Sequence, residues 1–250
     1  MKRKKDLIFG IHPVSEAVRS GKTIDKVLVR KGLTNPLIND LLRHFRSSET
    51  AVQYVPEEKL FRLAGKNHQG IVAMISEIEY FSIEEIVPFV FENGKSPAIL
   101  VLDGITDVRN FGAIARTAEC AGVDAILVPA RGSASINADA IKTSSGALHQ
   151  IPVCRTNDLT GSLKFLQNSG LQLIGASEKA EEAYFNNDFT VPFAVIMGAE
   201  DKGISPQILR MVDSLVRIPV FGMIQSLNVS IAASLIIYEA VRQRMIRTEG

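Results

Sequence analysis

Residues 98–112 read AILVLDGITDVRNFG, an unbroken apolar run that gives way to a polar loop containing glycine. The first five of these residues are apolar throughout, which is typical of a strand buried on both faces of a sheet. Similar runs occupy residues 125–128, 171–176 and 193–197, and segments with helical spacing lie between them. Strands that alternate with helices predict a parallel sheet covered by helices on both faces.

Polar, glycine-bearing loops follow three of the predicted strands. Residues 103–112 follow the first run, residues 198–205 follow the run FAVIM, and residues 219–228 follow a short strand at 215–218. Ligands of open parallel sheets bind beyond the carboxyl ends of the strands. The three loops are therefore expected to form one pocket if their strands are neighbours.

The glycine spacing in these loops excludes the common nucleotide sites. Gly198 and Gly203 have the spacing of a phosphate-binding loop, but Ile204 stands where such a loop has lysine. No Gly-x-Gly-x-x-Gly pattern follows a predicted strand. A nucleoside triphosphatase, a dinucleotide site and a glycine-rich adenosylmethionine site of the Rossmann type are therefore not expected.

Several polar residues near the loops have two interpretations each. Arg116 lies on an otherwise small and apolar helix, so it either pairs with Glu200 or Glu119 or projects into the pocket. Ser226 and Asn228 lie at the start of the last helix, which is predicted to begin near residue 227. They could simply accept hydrogen bonds from its first N–H groups. For Ser226 alone, capping is favoured over catalysis.

The front of the chain differs in charge from the rest. Residues 1–80 carry 14 Lys and Arg against 9 Asp and Glu, whereas residues 81–250 carry 14 against 18. A basic front end on an acidic body indicates contact with a polyanion, although a solvated, slightly basic domain would have the same composition.

The front end also has its own pattern of elements. A small α/β unit is predicted over residues 7–79, with strands at 24–29, 51–55 and 70–75 and a helix at 35–45. Residues 80–97 contain a helical stretch and an Asn-Gly-Lys-Ser-Pro loop, so the boundary between two domains is expected there.

Composition excludes several classes of protein. No apolar run approaches the roughly 18–20 residues that span a bilayer, and no apolar stretch follows the basic start as in a signal peptide. Cys120 and Cys154 are the only cysteines, too few for a disulfide scaffold, and no Cys-x-x-Cys pair indicates a structural zinc site. A cytoplasmic protein is expected.

Three stretches resemble the signature sequences of the SpoU-type (TrmH-like) RNA 2′-O-ribose methyltransferases. They are residues 110–118 (NFGAIARTA), 197–205 (MGAEDKGIS) and 218–230 (IPVFGMIQSLNVS), in the order and spacing of that family. Residues 9–14 and 68–70 resemble the family's substrate-binding domain. The chain is most similar to the RlmB-like branch, which methylates a guanosine of large-subunit ribosomal RNA.

The chain departs from the family pattern at a few positions. Val108 stands where proline is usual, Asp201-Lys202 replaces the commoner Gly-Glu or Gly-Lys, and Ser234 takes a position often held by glycine. None of these changes removes a side chain to which a chemical role is assigned.

The resemblance implies an α/β fold in two domains. A small N-terminal α/β substrate-binding domain, L30e-like and RNA-binding, is placed at 1–79, followed by a linker at 80–97. A C-terminal parallel-sheet α/β-knot methyltransferase domain of the SPOUT type, with a trefoil knot, is placed at 98–250. The family works as a homodimer through this second domain, so its apolar last helix is expected to be partly interface.

The resemblance implies S-adenosylmethionine as cofactor. Gly198, Ile218 and Leu227 would contact it, largely through backbone groups. The remaining predicted cofactor contacts are Ala176, Met197, Gly203 and Met223.

The implied reaction is methyl transfer to a ribose 2′-hydroxyl, which requires no metal. Arg116 would position the hydroxyl and help to remove its proton together with an RNA phosphate, and Asn110 would orient the ribose or phosphate. Glu200 would hold Arg116 or the substrate, and Ser226 and Asn228 would complete the hydrogen bonds around the hydroxyl.

RNA contacts are expected mainly from the front domain. The predicted contacts are Lys2, Arg3, Lys4, Lys5, Arg19, Lys22, Lys26, Arg30 and Lys31, with Lys142 near the active site. Alternatives are methylation of transfer-RNA ribose, a non-catalytic RNA-binding or ribosome-assembly factor, methylation of a base nitrogen, and a small-molecule methyltransferase, for which the basic front domain has no use.

Overall fold

A computed structural model describes residues 7–248 of the chain and the side chains of residues 7–246. The chain divides into two compact units, with the boundary between Glu79 and Tyr80. Four of the predicted RNA contacts lie outside the described residues: Lys2, Arg3, Lys4 and Lys5.

The first unit is a four-stranded mixed sheet with helices on both faces. Its elements are β1 Leu7–Phe9, α1 Ile11–Arg19, β2 Ile24–Arg30, α2 Pro36–Ser47, β3 Ala51–Val55, α3 Glu57–Ala64 and β4 Ile71–Ile75. The strand order is β1-β4-β2-β3, with β2 parallel to β3 and the other neighbours antiparallel. The three predicted strands and the predicted helix are confirmed, whereas β1, α1 and α3 were not anticipated.

Helix α2 shows how the local sequence determines an element of this unit. The Asn35 side chain accepts a hydrogen bond from the N–H of Leu37 at 2.9 Å, and Pro36 takes the first helical position. Ile38 and Phe45 recur at helical spacing and are buried against the sheet. Capping and amphipathic spacing therefore agree on where the helix starts and which face it buries.

The second unit is a seven-stranded sheet whose paired strands run parallel, in the order β7-β6-β5-β10-β8-β11-β9. The sequence-based prediction of a parallel α/β sheet is confirmed. Its helices and strands are α4 Ile83–Glu92, β5 Ala98–Asp103, α5 Val108–Cys120, β6 Ala125–Pro129, α6 Ala138–Thr143, β7 Val153–Thr156, α7 Leu159–Asn168, β8 Gln172–Ala176, β9 Glu182–Ala183, β10 Phe193–Gly198, α8 Pro206–Leu209, β11 Ser214–Arg217 and α9 Val229–Thr248.

Residues 80–97, predicted as a linker, contain helix α4 and pack within the second unit. The Ser82 side chain accepts a hydrogen bond from the N–H of Glu84 at 3.2 Å, and Ile83 and Val87 are buried in the core under the sheet. The apolar face of α4 covers part of the sheet, so this segment belongs to the second unit. The loop between α4 and β5 has the irregular backbone that its Gly and Pro predict.

The strand order brings the predicted loops together. β10 pairs with β5 on one side and with β8 on the other, and β11 pairs with β8. The carboxyl ends of four neighbouring strands therefore meet at one edge of the sheet, where the loops after β5, β10, β8 and β11 emerge.

Helix α9 begins at Val229, two residues later than predicted. The Asn228 side-chain oxygen accepts a hydrogen bond from the N–H of Ser230 at 2.9 Å, so Asn228 takes the capping position. Within residues 7–248, no helix, α9 included, is both long and apolar enough to cross a membrane.

Candidate active site

A pocket of about 360 Å³ lies at the carboxyl edge of the second sheet. Ser177 and Glu178, which directly follow β8, also line it, and the sequence analysis missed them although their place after a strand was a usable signal. The predicted site residues that line it are Ala176, Met197, Gly198, Glu200, Gly203, Ile218, Ser226, Leu227 and Asn228.

The loop after β10 is closed by its own backbone. Ala199 and Gly203 exchange two backbone hydrogen bonds, with N···O distances of 3.1 and 2.7 Å. A Cβ added at Gly198 would lie 2.1 Å from the backbone nitrogen of Ile204, so no larger residue fits there. Gly203 has a φ of +67°, which glycine adopts without strain. This wall of the pocket is therefore fixed before any ligand binds.

Two aspartates fix the loop after β5 and the start of α5. Asp103 accepts a hydrogen bond from the N–H of Ser205 at 2.7 Å, which joins the loops after β5 and β10. Asp107 accepts from the N–H groups of Arg109 and Asn110 at 2.8 and 2.9 Å. Asn110 is thus held in the first turn of α5, beside the loop that carries Glu200.

A chain of side-chain hydrogen bonds joins three predicted catalytic residues. Asn110 Nδ2 donates to Glu200 Oε1, and Asn228 Nδ2 donates to Asn110 Oδ1 at 3.1 Å. Asn228 Oδ1 accepts from the N–H and the hydroxyl of Ser230. Because that N–H can only donate, the orientation of both amides is determined: the NH₂ group of Asn228 points toward Asn110, and that of Asn110 points toward Glu200. Glu200 is the final acceptor of this chain.

Arg116 is exposed on α5, one face of which is buried through Ile114 and Ala118. No described residue forms a hydrogen bond or an ion pair with its side chain. The interpretation that it pairs with Glu200 or Glu119 is therefore wrong in this structure, since Glu200 accepts from an amide instead. The guanidinium is free to meet a substrate group.

Two further predicted residues are placed differently from their assigned roles. Met223 is fully exposed and is absent from the residues that line the pocket. Ser226 lines the pocket, but the first turn of α9 is capped by Asn228, so the capping interpretation holds for Asn228 and not for Ser226.

The predicted RNA contacts of the first unit are spread over several elements. Arg19, Lys22 and Lys31 are exposed, whereas Lys26 and Arg30 are partly buried. Arg30 forms an ion pair with Glu57 at 3.3 Å. In the second unit, Lys142 is exposed on α6. No group of three or more His, Cys, Asp or Glu side chains among the described residues could hold a metal ion.

Two family models match the chain. Residues 97–238 match the SpoU rRNA Methylase family, and residues 7–81 match the RNA 2′-O ribose methyltransferase substrate binding domain. The first match includes the loops after β5, β10 and β11, and the second spans the elements of the first unit.

Known proteins resemble the chain along nearly its whole length. A Staphylococcus saprophyticus protein named as a TrmH family tRNA/rRNA methyltransferase is 35% identical over 95% of this chain and 96% of its own. The SpoU methyltransferase AviRb from Streptomyces viridochromogenes, solved with its cofactor AdoMet, has a TM-score of 0.61 and 26% identity, covering 96% of this chain and 90% of its own. A structure of an RNA 2′-O ribose methyltransferase has a TM-score of 0.56 and 28% identity, covering 96% and 88%.

The fold, the pocket and these matches define an RNA methyltransferase. The chain belongs to the SpoU rRNA methylase family, as the resemblance of its three loops implies. The family uses S-adenosylmethionine as methyl donor.

Proposed function

We propose that this protein transfers a methyl group from S-adenosylmethionine to a ribose 2′-hydroxyl of RNA, with a guanosine of large-subunit ribosomal RNA as its substrate. The observation that carries the proposal is the hydrogen-bonded set Glu200, Asn110 and Asn228, from three separate segments, beside a pocket and an unpaired Arg116. A scaffold that only bound RNA would have no need of this set.

The pocket fits the cofactor in size and in chemistry. Its volume of about 360 Å³ lies in the range of small-molecule sites, about 300–1,000 Å³. Ile218 and Leu227 offer apolar walls for a purine, and the glycine loop at Gly198 offers backbone groups without a side chain in the way. When bound, S-adenosylmethionine supplies a methyl group on a positively charged sulfur that is ready for displacement.

The residues of the chain then have to bring in and activate the ribose. A 2′-hydroxyl is a weak nucleophile until its proton is drawn off. Arg116 positions the hydroxyl and stabilises the negative charge that develops on its oxygen, while the adjacent RNA phosphate accepts the proton. Asn110 and Asn228 orient the sugar, Ser226 contacts the hydroxyl from the pocket, and Glu200 holds Asn110 in place.

The domain roles and the assembly belong to the same proposal. The first unit binds RNA through its exposed cations, and the second unit carries the reaction on a chain that is threaded into a trefoil knot.

Helix α9 exposes Ile231, Leu235 and Tyr238 at positions i, i+4 and i+7, with 52%, 38% and 49% of each residue accessible. Such a stripe supports a homodimer through α9.

Methyl transfer to RNA tests the reaction and the substrate together. Labelled S-adenosylmethionine is incubated with RNA from cells that lack the modification, using the natural protein, Arg116→Ala and the surface control Lys164→Ala. Arg116→Ala should lower the methyl-transfer rate by about 10²–10⁴-fold without weakening the binding of the cofactor. The expected product is 2′-O-methylguanosine in large-subunit ribosomal RNA.

The other outcomes contradict parts of the proposal. Label in transfer RNA would show that transfer RNA, not ribosomal RNA, is the substrate. Label on a base would show that the ribose hydroxyl is not the group methylated. Cofactor binding without label in any RNA, including assembling ribosomal particles, would favour the binding-factor alternative.

The homodimer has its own test. Ile231→Asp with Leu235→Asp should halve the mass measured by light scattering, and an unchanged mass would reject α9 as the interface.

A further inference from the structure

Four cationic side chains lie on helix α5 and on two segments that pack beside it. Arg109 and Arg116 are seven residues apart on α5, which places them on one face two turns apart. Arg131 lies in the loop after β6, which is joined to the loop after β5 by a hydrogen bond from Ala134 N to Ile105 O of 2.8 Å.

Lys142 completes this group, because helix α6 crosses α5 very closely. A Cβ added at Gly112 of α5 would lie 2.7 Å from the Cβ of Thr143, the residue after Lys142. We call Arg109, Arg116, Arg131 and Lys142 the α5 cation cluster.

The charges of the α5 cation cluster are not neutralised within the described part of the chain. All four side chains are exposed, and none forms a hydrogen bond or an ion pair with a described residue. The carboxylates nearest in the chain are Asp107, which accepts two backbone hydrogen bonds of α5, Glu119, one turn after Arg116, and Asp139, one turn before Lys142.

Arg109 occupies an unfavourable place for a cation in the free protein. It lies in the first turn of α5, where the helix dipole repels positive charge and where the N-cap carboxylate of Asp107 already accepts two backbone hydrogen bonds. The surrounding unit is acidic, with 18 Asp and Glu against 14 Lys and Arg in residues 81–250. An anionic ligand at this position accounts for an arginine that the helix itself disfavours.

We propose that Arg109 and Arg131 bind the phosphodiester backbone of the substrate RNA beside the pocket. The second unit would then grip RNA with its own cations and not only through the first unit. This inference rests on the proposed function. Asp107 already occupies the first N–H groups of α5, so the guanidinium groups and not the helix backbone would hold the phosphates.

The α5 cation cluster lies beside the pocket but outside its lining. None of the four cations is among the residues that line the pocket. The anion they bind is therefore assigned to RNA and not to the carboxylate of the cofactor.

The test measures binding of an unmodified transcript of large-subunit ribosomal RNA over a range of salt concentrations. The variants are Arg109→Gln with Arg131→Gln, Arg109→Lys with Arg131→Lys, and the control Lys164→Gln on the exposed face of α7. The glutamine pair should reduce the magnitude of the slope of log affinity against log salt by about 0.7–0.9 for each arginine lost, or about 1.4–1.8 in total. The lysine pair and the control should keep the slope of the natural protein.

Two results would overturn the inference. One is a glutamine pair whose salt slope equals that of Lys164→Gln. The other is a glutamine pair that binds S-adenosylmethionine more weakly in calorimetry, which would assign the cations to the cofactor. Both measurements record binding and do not depend on activity. If the natural protein methylated no RNA, the proposed function would be contradicted, but the salt slope would still test this inference.

Discussion

The loops after β10 and β11 form two walls of the same pocket, yet they are built in opposite ways. The loop after β10 is closed by two backbone hydrogen bonds between Ala199 and Gly203 and is tied to Asp103 through Ser205. In the loop after β11, no described residue from 219 to 227 forms a hydrogen bond, and Phe221 and Met223 are almost wholly exposed.

This difference indicates how the site divides its tasks. A wall that is complete in the free protein can place backbone groups accurately, because no ordering is left for the ligand to drive. A wall without internal hydrogen bonds is held less firmly in the free protein, so we expect part of the binding free energy to be used for ordering it. The first wall is suited to recognition and the second to closure.

The largest effect is expected from filling the preformed wall. Gly198→Ala places a methyl group 2.1 Å from the backbone of Ile204, which the loop can accommodate only by opening. We expect at least a hundredfold loss of S-adenosylmethionine affinity, since about 2.7 kcal/mol of such strain suffices. Gly222→Ala, whose Cβ would meet nothing within 4 Å, is the matched control and should bind normally. Equal affinities in calorimetry would refute the rigid-wall description.

A second prediction separates the two tasks of Asn228. Asn228→Asp keeps an oxygen for the N–H of Ser230 but has no amide to donate to Asn110. Its methyl-transfer rate should fall by about tenfold or more while its melting temperature stays near that of the natural protein. Asn228→Ala should lose the same activity and also about 1 kcal/mol of unfolding free energy. If the aspartate variant is fully active, Asn228 serves only as a helix cap.

The ordering difference between the two walls is directly measurable by hydrogen exchange. Without cofactor, the N–H groups of Ala199 and Gly203 should exchange slowly because they are bonded, and those of residues 220–227 should exchange fast. Saturating S-adenosylmethionine should slow the second group by about tenfold or more. Slow exchange of residues 220–227 in the free protein would contradict the comparison.

The smallest effect concerns the fixed helix that borders both walls. Arg109→Gln removes a cation from the first turn of α5, so the free protein should become more stable by about 0.5 kcal/mol at low salt. Denaturant unfolding measures this gain, and Lys164→Gln should show none. A loss of stability would mean that Arg109 makes an intramolecular contact in solution.

The sequence alone predicted much of the local structure. Unbroken apolar runs marked the central strands because strands covered on both faces cannot carry polar residues. Apolar residues at helical spacing marked α2, and the structure adds the local capping by Asn35 and Pro36. The three glycine-bearing loops, with Asn110, Arg116, Glu200 and Asn228, were identified from their places after strands and from their resemblance to one family.

Only the tertiary structure decided which of these residues meet. Asn110 lies 90 residues before Glu200 and 118 before Asn228, so their contacts depend on β10 entering between β5 and β8. Periodicity reports which side of an element is buried but not which element lies beside it, because strand order is set by long-range packing. For the same reason, the partner of Glu200 and the exposure of Met223 could not be read from the sequence.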